Sequence, residues 1–377
     1  MPWKERDTMS LRREFVVFAS DEGANRRELC RRYGISPTTG YKWLRRYGEM
    51  GEIGLREQSR RPLNSPMRTP GWLEARVLEI RDEKAWGGRK IRWQLQKDGI
   101  HRPPSQSTIT EILHRHGRIV LDESIRRRPL RRFEAKAPNA LLQMDFKGHF
   151  QAGRRRCHPL TVLDDHSRFS LALEACSDET RATVQDCLTS VFRRYGLPDR
   201  MLMDNGSPWG SREHVSGLAV WLMRLGIRVI HARPAHPQTL GKDERFHRTL
   251  KHEVLRRQSL TSLPECQCHF DRWRSVYNFE RPHESLEMEV PASRYRPSTR
   301  PFPENLPPID YSEGLTVRRV HGNGEIWFHD RVFKISKGLR DLHVGIKPTG
   351  KDGVFKVYFC HQLVREIDLT DHPKFKS

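Results

Sequence analysis

A carboxylate set inside a short apolar run is the feature that most constrains this chain. Residues 140–150 read Ala-Leu-Leu-Gln-Met-Asp-Phe-Lys-Gly-His-Phe, with Asp145 in the middle and Gly148 ending the apolar stretch. The run is too short for an ordinary helix and reads as a largely buried strand. A carboxylate there costs free energy unless a hydrogen bond, a cation or a metal ion satisfies it. A structural pairing with an Arg or a backbone N–H is the commoner explanation, and Asp145 alone does not exceed it.

Two later stretches change that balance. Arg200-Met-Leu-Met-Asp-Asn-Gly-Ser-Pro208 again leads an apolar run to a carboxylate, Asp204, and Asn205-Gly206 turn the chain away. Strand ends and the loops after them are where mixed sheets usually hold their chemistry. Between Thr239 and Arg256, Phe246, Leu250 and Val254 recur at helical spacing and mark a buried face. Glu244 lies off that face, on the side of Arg248 and Lys251. On an isolated helix, Glu244 and Arg248 would be no more than a surface pair.

Strand Asp, strand-end Asp and helix Glu, in that order, resemble the DDE catalytic core of bacterial insertion-sequence transposases, the branch nearest retroviral integrases. The resemblance rests on Gln143-Met-Asp-Phe-Lys147, Leu160-Thr-Val-Leu-Asp-Asp-His-Ser-Arg-Phe169, Asp204-Asn-Gly-Ser207, His236-Pro-Gln-Thr239, Gly241-Lys-Asp-Glu-Arg-Phe-His-Arg-Thr-Leu250 and Tyr277-Asn-Phe-Glu-Arg-Pro-His283, all colinear. One departure is the 39 residues between Asp204 and Glu244, a little longer than the commonest family gap; the extra length is expected in the Trp209–Val215 loop.

The resemblance implies an RNase H-like mixed-sheet core, DNA as substrate and Mg²⁺-dependent phosphoryl transfer, with Asp145, Asp204 and Glu244 as catalytic and metal-holding residues. Three carboxylates brought together repel one another, and without cations at least one would keep its proton. Two Mg²⁺ ions about 4 Å apart would relieve that conflict, one activating the attacking oxygen and the other stabilising the leaving 3′ oxygen. Asp145 is expected to bridge the ions, with Asp204 and Glu244 holding one each and Mn²⁺ able to substitute. Neither ATP nor a protein nucleophile nor an organic cofactor is needed, because one phosphodiester is exchanged for another. Gln238, Lys242, Arg245, Arg248 and Lys251 are candidates for phosphate contacts. Asp164 and Asp165 precede Ser167 at a strand–turn junction and read as turn caps.

Charge points to the same partner. Lys and Arg number 68 against 47 Asp and Glu, a net charge of +21. That balance suits a polyanion, either nucleic acid or an anionic membrane surface. No apolar run approaches ~20 residues, and Met-Pro-Trp-Lys-Glu-Arg-Asp holds no signal-peptide core, so a membrane is not expected and a cytoplasmic location is. The seven cysteines are odd in number and scattered, which fits free thiols. Cys266-x-Cys268-His269 lacks a second flanking pair and reads as helix packing rather than a zinc site.

The expected organisation is multidomain: all-α reading heads, an α/β core and a small all-β barrel. Residues 1–57 read as a helix-turn-helix, with Asn25-Arg-Arg-Glu28 as a capping box and Ser36-Pro37 starting the second helix. Thr38, Thr39, Tyr41, Lys42 and Arg45 would line its exposed front and enter a major groove. Residues 58–70 hold three prolines and read as a linker. Residues 71–120 read as a second helix-turn-helix whose last helix runs from Ser107 to His116, with Thr108-x-x-Glu111 as its capping box and Ser107 as a DNA contact. Residues 121–138 form an Arg-rich linker, with Arg126, Arg127, Arg128, Arg131 and Arg132 suited to phosphates. The core occupies 139–296, a Pro-rich tether 297–309, and the barrel, SH3-like, 310–371.

The function this implies is cleavage of the element's terminal inverted repeats and joining of the 3′-hydroxyl to target DNA. Two protein-bound ends would need at least a homodimer on DNA. The competing readings are a catalytically silent, domesticated DNA-binding regulator and a structure-directed nuclease without strand transfer.

Overall fold

The computed structural model describes residues 7–58, 68–119, 134–211, 214–232, 241–311 and 314–370. The chain divides into two compact units, residues 1–69 and 70–377. Arg126, Arg127, Arg128, Arg131, Arg132 and Gln238 lie outside the described residues.

The first unit packs three helices, α1 (Thr8–Ser20), α2 (Arg26–Arg32) and α3 (Pro37–Met50), around Phe15, Val16, Ala19, Cys30, Trp43 and Leu55. The sequence pattern shows α2 and α3 through their caps. Asn25 accepts from the Glu28 N–H, and Ser36 accepts from the Thr39 N–H with Pro37 in the first turn. Gly40 is where the helices cross: a Cβ there would lie 2.5 Å from the Cys30 Sγ. The sequence reading missed α1, which carries no side-chain cap. Thr38, Tyr41 and Arg45 are exposed on α3, while the Lys42 ammonium lies 4.6 Å over the Trp43 ring.

The second unit opens with another three-helix cluster: α4 (Gly71–Lys84), α5 (Gly88–Lys97) and α6 (Gln106–Arg115), closed over Leu73, Val77, Ile80, Trp86, Ile91, Leu95, Ile109, Ile112 and Leu113. Here the expected cap is corrected. Ser105, not Thr108, caps α6, because the Ser105 hydroxyl accepts the Thr108 N–H at 3.1 Å and the helix therefore begins at Gln106. Ser107 is exposed, its hydroxyl paired with that of Ser105 at 2.7 Å.

The core sheet follows, with order β2-β3-β1-β5-β6 and β4 paired to β3. Its strands are β1 (Leu142–Phe146), β2 (Phe150–Ala152), β3 (Arg155–Asp164), β4 (Ser170–Cys176), β5 (Arg200–Met203) and β6 (Arg228–His231). The first four form the expected antiparallel meander, while β5 lies parallel to β1 and β6 parallel to β5. Helices α7 (Arg181–Tyr195) and α8 (Gly217–Arg224) contribute to one apolar cluster with Met144, Val162 and Met203; α9 (Gly241–Leu250) and α10 (Leu263–Phe279) contribute to another with Cys157, Leu163 and Leu173. Side chains alternate along each strand, so one sheet supplies both clusters. Of the Cys266-x-Cys268 pair on α10, Cys266 is buried and Cys268 exposed, as helix packing requires.

After the short helix α11 (Pro291–Arg294), the Pro-rich stretch expected as a tether is laid along the core. Ser298 N–H donates to the Tyr195 carbonyl at 2.8 Å and Leu197 N–H to the Arg300 carbonyl at 2.7 Å, while Phe302 packs by Phe192. The terminal strands are β7 (Thr316–Arg319), β8 (Glu325–Phe328), β9 (Arg331–Lys334), β10 (His343–Pro348), β11 (Val354–Phe359) and β12 (Gln362–Asp368). They form an open four-stranded sheet, β12-β11-β10-β7, and a separate β8-β9 hairpin. A closed barrel is not formed among the described residues, because the hairpin pairs only with itself. The apolar face of this sheet instead joins the α/β core, with Val344, Ile346, Val357 and Phe359 in the same cluster as Leu218 and Val229. Gln362 seals the join by bonding both backbone groups of Val229 on edge strand β6, at 2.7 and 2.9 Å.

Candidate active site

Sheet register brings the first two carboxylates together. Strands β1 and β5 pair in parallel with Leu142 opposite Met201 and Gln143 opposite Leu202. Carried two residues further, that register sets Asp145 level with Asp204 on the neighbouring strand line, about 4.8 Å away at the backbone. Residues level on adjacent parallel strands project to the same face. Asp145 is half-buried, and burial followed by the Asp204 charge pushes its carboxyl up to about 7, with Glu179 and Glu244 adding to the rise. Asp204 is exposed at the end of β5; its Oδ1 accepts the N–H of Asn205, whose amide in turn donates to the Ala232 carbonyl at 2.8 Å. Trp209, buried in the loop that follows, packs on Phe146 with ring centroids 5.5 Å apart.

Helix α9 carries the third carboxylate. Phe246, Leu250 and, beyond the helix, Val254 are buried, which leaves Glu244 exposed on the other side. Asp243 takes the inward place. It is fully buried with neither carboxyl oxygen hydrogen-bonded, and burial, with Asp145 and Asp165 nearby, pushes its carboxyl well above the ordinary range. Consecutive helical residues differ by about 100° around the axis, so only one of the two can face the cleft.

Two contacts that the sequence reading did not anticipate hold α9 against β1. The first runs through His247, three positions after Glu244. Thr161, opposite Asp145 in the β1–β3 register, donates its hydroxyl proton to the Asp145 carbonyl at 2.9 Å. The 2.8 Å bond between Thr161 Oγ1 and His247 Nε2 must then be donated by the imidazole. That leaves a bare Nδ1 lone pair 4.0 Å from Asp145 Oδ2, and burial with nearby Lys147 draws the imidazole down to about 3, keeping it neutral. No sequence signal short of helical spacing from Glu244 marks this residue.

The second contact is Asp165. Its carboxylate is buried and accepts from the Ala135 N–H at 2.6 Å and the Gln143 amide at 2.7 Å, and it forms an ion pair with Lys242. Gln143 stands two residues before Asp145, and Lys242 two before Glu244. Asp165 thus ties the strand bearing one carboxylate to the helix bearing another. Lys242, expected on phosphate, has its ammonium committed to this clamp, bonding the Asp165 carbonyl as well at 3.1 Å. Arg245, Arg248 and Lys251 are exposed on the same helix and the turn after it. Asp164 caps its turn as expected, accepting from Ser167 N–H and Oγ at 2.7 and 2.6 Å and from Asn139 N–H at 2.8 Å.

The carboxylates suit a hard dication in donor type, and their repulsion at Asp145 is what such a charge would relieve. Among the described residues, however, no group of three or more His, Cys, Asp and Glu is close enough to hold a metal ion, so the three carboxylates do not stand at coordination spacing.

Five family models match this chain. Two integrase core domain families match residues 135–237 and 225–291. A helix-turn-helix domain matches 12–62, a homeodomain-like domain 39–113, and the C-terminal domain of IS481 family transposases 315–374. An insertion element IS476 protein of 39.2 kDa from Xanthomonas euvesicatoria is 31% identical over 155 residues, 41% of this chain and 44% of that protein. The chain thus spans under half the length of that relative. An insertion element IS407 protein of 31.7 kDa from Burkholderia multivorans is 24% identical over 225 residues, 58% of this chain and 79% of that protein. The simian T-cell lymphotropic virus intasome in complex with PP2A regulatory subunit B56 gamma overlaps 78% of this chain and 96% of that one at 14% identity and TM-score 0.39, too loosely to weigh here. No described helix is long and apolar enough to cross a membrane.

Proposed function

We propose that this chain, which belongs to the insertion-sequence transposases with an integrase core, binds the terminal inverted repeats of its element, cleaves the ends and joins the 3′-hydroxyl to target DNA. The observation that carries the reading is the register that sets Asp145 level with Asp204, with the helix of Glu244 held across them by His247 and Asp165.

In this reading Asp145, Asp204 and Glu244 would hold Mg²⁺, two ions with Mn²⁺ as a substitute. When bound, the metal supplies charge at the attacking oxygen and the leaving 3′ oxygen. The protein does the rest. Asp145 gives up the proton it holds near neutrality, His247 accepts no proton from solvent because it is buried, and the Asp165 clamp keeps α9 at a set distance from β1. Arg245, Arg248 and Lys251 stand beside Glu244 as phosphate contacts, and Thr38, Tyr41, Lys42 and Arg45 on α3 as base contacts. Thr39 is partly committed to its cap, its hydroxyl 2.9 Å from Ser36, which lowers its value as a reader. Two ends held together require at least two copies of the chain on DNA.

The test is single-turnover cleavage of a labelled duplex taken from the DNA flanking the coding region, in Mg²⁺ or Mn²⁺. Nicking at one end position, lost on chelation and followed by transfer into a second duplex, supports the reading. Metal-independent binding with no nick in either ion overturns it in favour of a silent regulator.

A further inference from the structure

The second helix-turn-helix cluster meets the catalytic core along a charged seam. Lys84 pairs with Glu280 at 2.7 Å, Arg89 with Glu284 at 2.9 Å, and the Arg257 guanidinium donates to the Glu83 carbonyl at 3.1 Å. Val276 of α10 adds an apolar contact to the α4–α6 core. Lys84 and Arg89 each meet one carboxylate, and Arg257 meets a backbone carbonyl. In the middle of the seam the pairing fails.

Lys90, on the first turns of α5, is half-buried and forms no ion pair among the described residues. Its neighbours are the cations Arg281 and Arg245 and the carboxylates Glu253 and Glu284. Both carboxylates are already engaged. Glu253 takes Arg281 at 3.0 Å and the Trp273 indole N–H at 2.9 Å, and Glu284 takes Arg89. Arg245 and Arg248 on α9 likewise have no carboxylate partner among the described residues, and Arg245 is crowded by Arg248 and Arg281. His283 closes the group. Its ring stands against Tyr277 at 4.7 Å, its Nε2 is buried without a partner, and burial followed by Arg281 and Lys90 holds it neutral.

Burial and Arg281 draw the Lys90 ammonium down to about 7, so holding this lysine charged has a cost that the protein's own carboxylates do not offset. Unpaired cations in one seam call for an anion from outside the chain, and the neutral His283 ring can meet one by turning an Nε2–H toward it. Arg245 adjoins Glu244, and Lys90 belongs to the cluster whose α6 has the exposed, capped start of a reading helix.

We propose that Lys90, Arg245 and His283 form a seat for one DNA backbone phosphate at the seam between the second helix-turn-helix cluster and the catalytic helix. This rests on the reading of the chain as a DNA transposase. One phosphate held there fixes the distance between the bases read by α6 and the phosphodiester brought to Asp145, Asp204 and Glu244. The seat is a ruler for where the end is cut, as well as a source of affinity.

The test uses the full chain and a duplex from the DNA flanking the coding region. The parent, Lys90→Gln and Lys90→Arg are titrated across a series of salt concentrations. Lys90→Gln should lower the slope of log affinity against log salt by about 0.9 and weaken binding about tenfold, with Lys90→Arg restoring most of both. A single neutral methylphosphonate is then walked along each strand. One position should weaken the parent about tenfold and leave Lys90→Gln unaffected. Lys90 forms no ion pair among the described residues, so Lys90→Gln should melt no lower than the parent; if it does not fold, Lys90→Met and Arg245→Gln carry the same scan. A parent that binds DNA while every variant shares its slope and its methylphosphonate profile overturns the seat and leaves the proposed function standing. A parent that binds no DNA overturns both. Stabilisation of the free chain by inorganic phosphate, lost in Lys90→Gln with no change in the DNA scan, would make the seam a free-anion site and overturn its role on DNA.

Discussion

Two pairs of carboxylates occupy the same sheet and are treated in opposite ways. Asp164 and Asp165 end β3 fully buried, and every charge they carry is met: three donors converge on Asp164, and two donors and a lysine on Asp165. Asp145 and Asp204, side by side at the ends of β1 and β5, receive almost nothing from the protein. Burial raises both Asp164 and Asp145. At Asp164 the Ser167 and Asn139 donors pull back, whereas at Asp145 the neighbouring Asp204 adds more to the rise than the Phe146 N–H removes. A carboxylate supplied with donors belongs to the scaffold. One left short of them beside another carboxylate is poised for a cation from outside.

The largest expected effect tests the unsupplied set. If Glu244 holds metal as proposed, Glu244→Gln should cut single-turnover cleavage by roughly a thousandfold or more, while DNA affinity holds or rises because a negative charge is removed. Asp243→Asn, one residue inward, should keep cleavage within tenfold of the parent. If the two outcomes are reversed, α9 presents the other carboxylate to the cleft.

The supplied pair should respond in stability. Asp165→Asn strands the Lys242 ammonium at a largely buried site and should cost about 3–5 kcal/mol in urea unfolding, against little change for Glu244→Gln. Equal unfolding midpoints for the parent and Asp165→Asn would remove the clamp from the account.

His247 lies between the two sets and should give an intermediate effect. If Asp145 holds metal as proposed, His247→Ala, which removes a group beside it, should slow cleavage about ten- to a hundredfold with DNA binding unchanged. Thr161→Val should follow it in the same direction. A normal rate for both variants would reduce the Thr161–His247 bond to packing.

The smallest effect is a pH dependence with a definite sign. Asp145 holds its proton up to about 7 in the folded chain but ionises near the ordinary carboxylate value when unfolded. Its contribution is therefore fully present below about 4 and is lost as pH rises through 7. Asp145→Asn should raise the unfolding midpoint more at pH 8 than at pH 4. Adding Mg²⁺ should stabilise the parent at pH 8 and leave Asp145→Asn unmoved. A parent indifferent to Mg²⁺ at pH 8 would mean that the free cleft does not draw the ion.

Local chemistry determined much of this from the sequence. Asn25 and Ser36 show their caps, Phe246, Leu250 and Val254 show a helix face, and the apolar runs ending in Asp145 and Asp204 show two strands, because each signal lies within a few residues of its cause. The sequence also marked Asp164 as a turn cap, but Asp165, expected to be another, instead joins Gln143 to Lys242. What only the tertiary structure decided depends on groups far apart in the chain. That Asp145 stands level with Asp204 follows from a parallel register, and that Lys242 is committed to Asp165 follows from a contact across 77 positions. His247 gains its meaning from Thr161, 86 positions away. The expected barrel stayed open for the same reason: strand periodicity shows which face is apolar but not what will cover it, and here the α/β core covers it, with Gln362 bonded to Val229. A sequence shows which residues must be satisfied; only the fold decides which of them are.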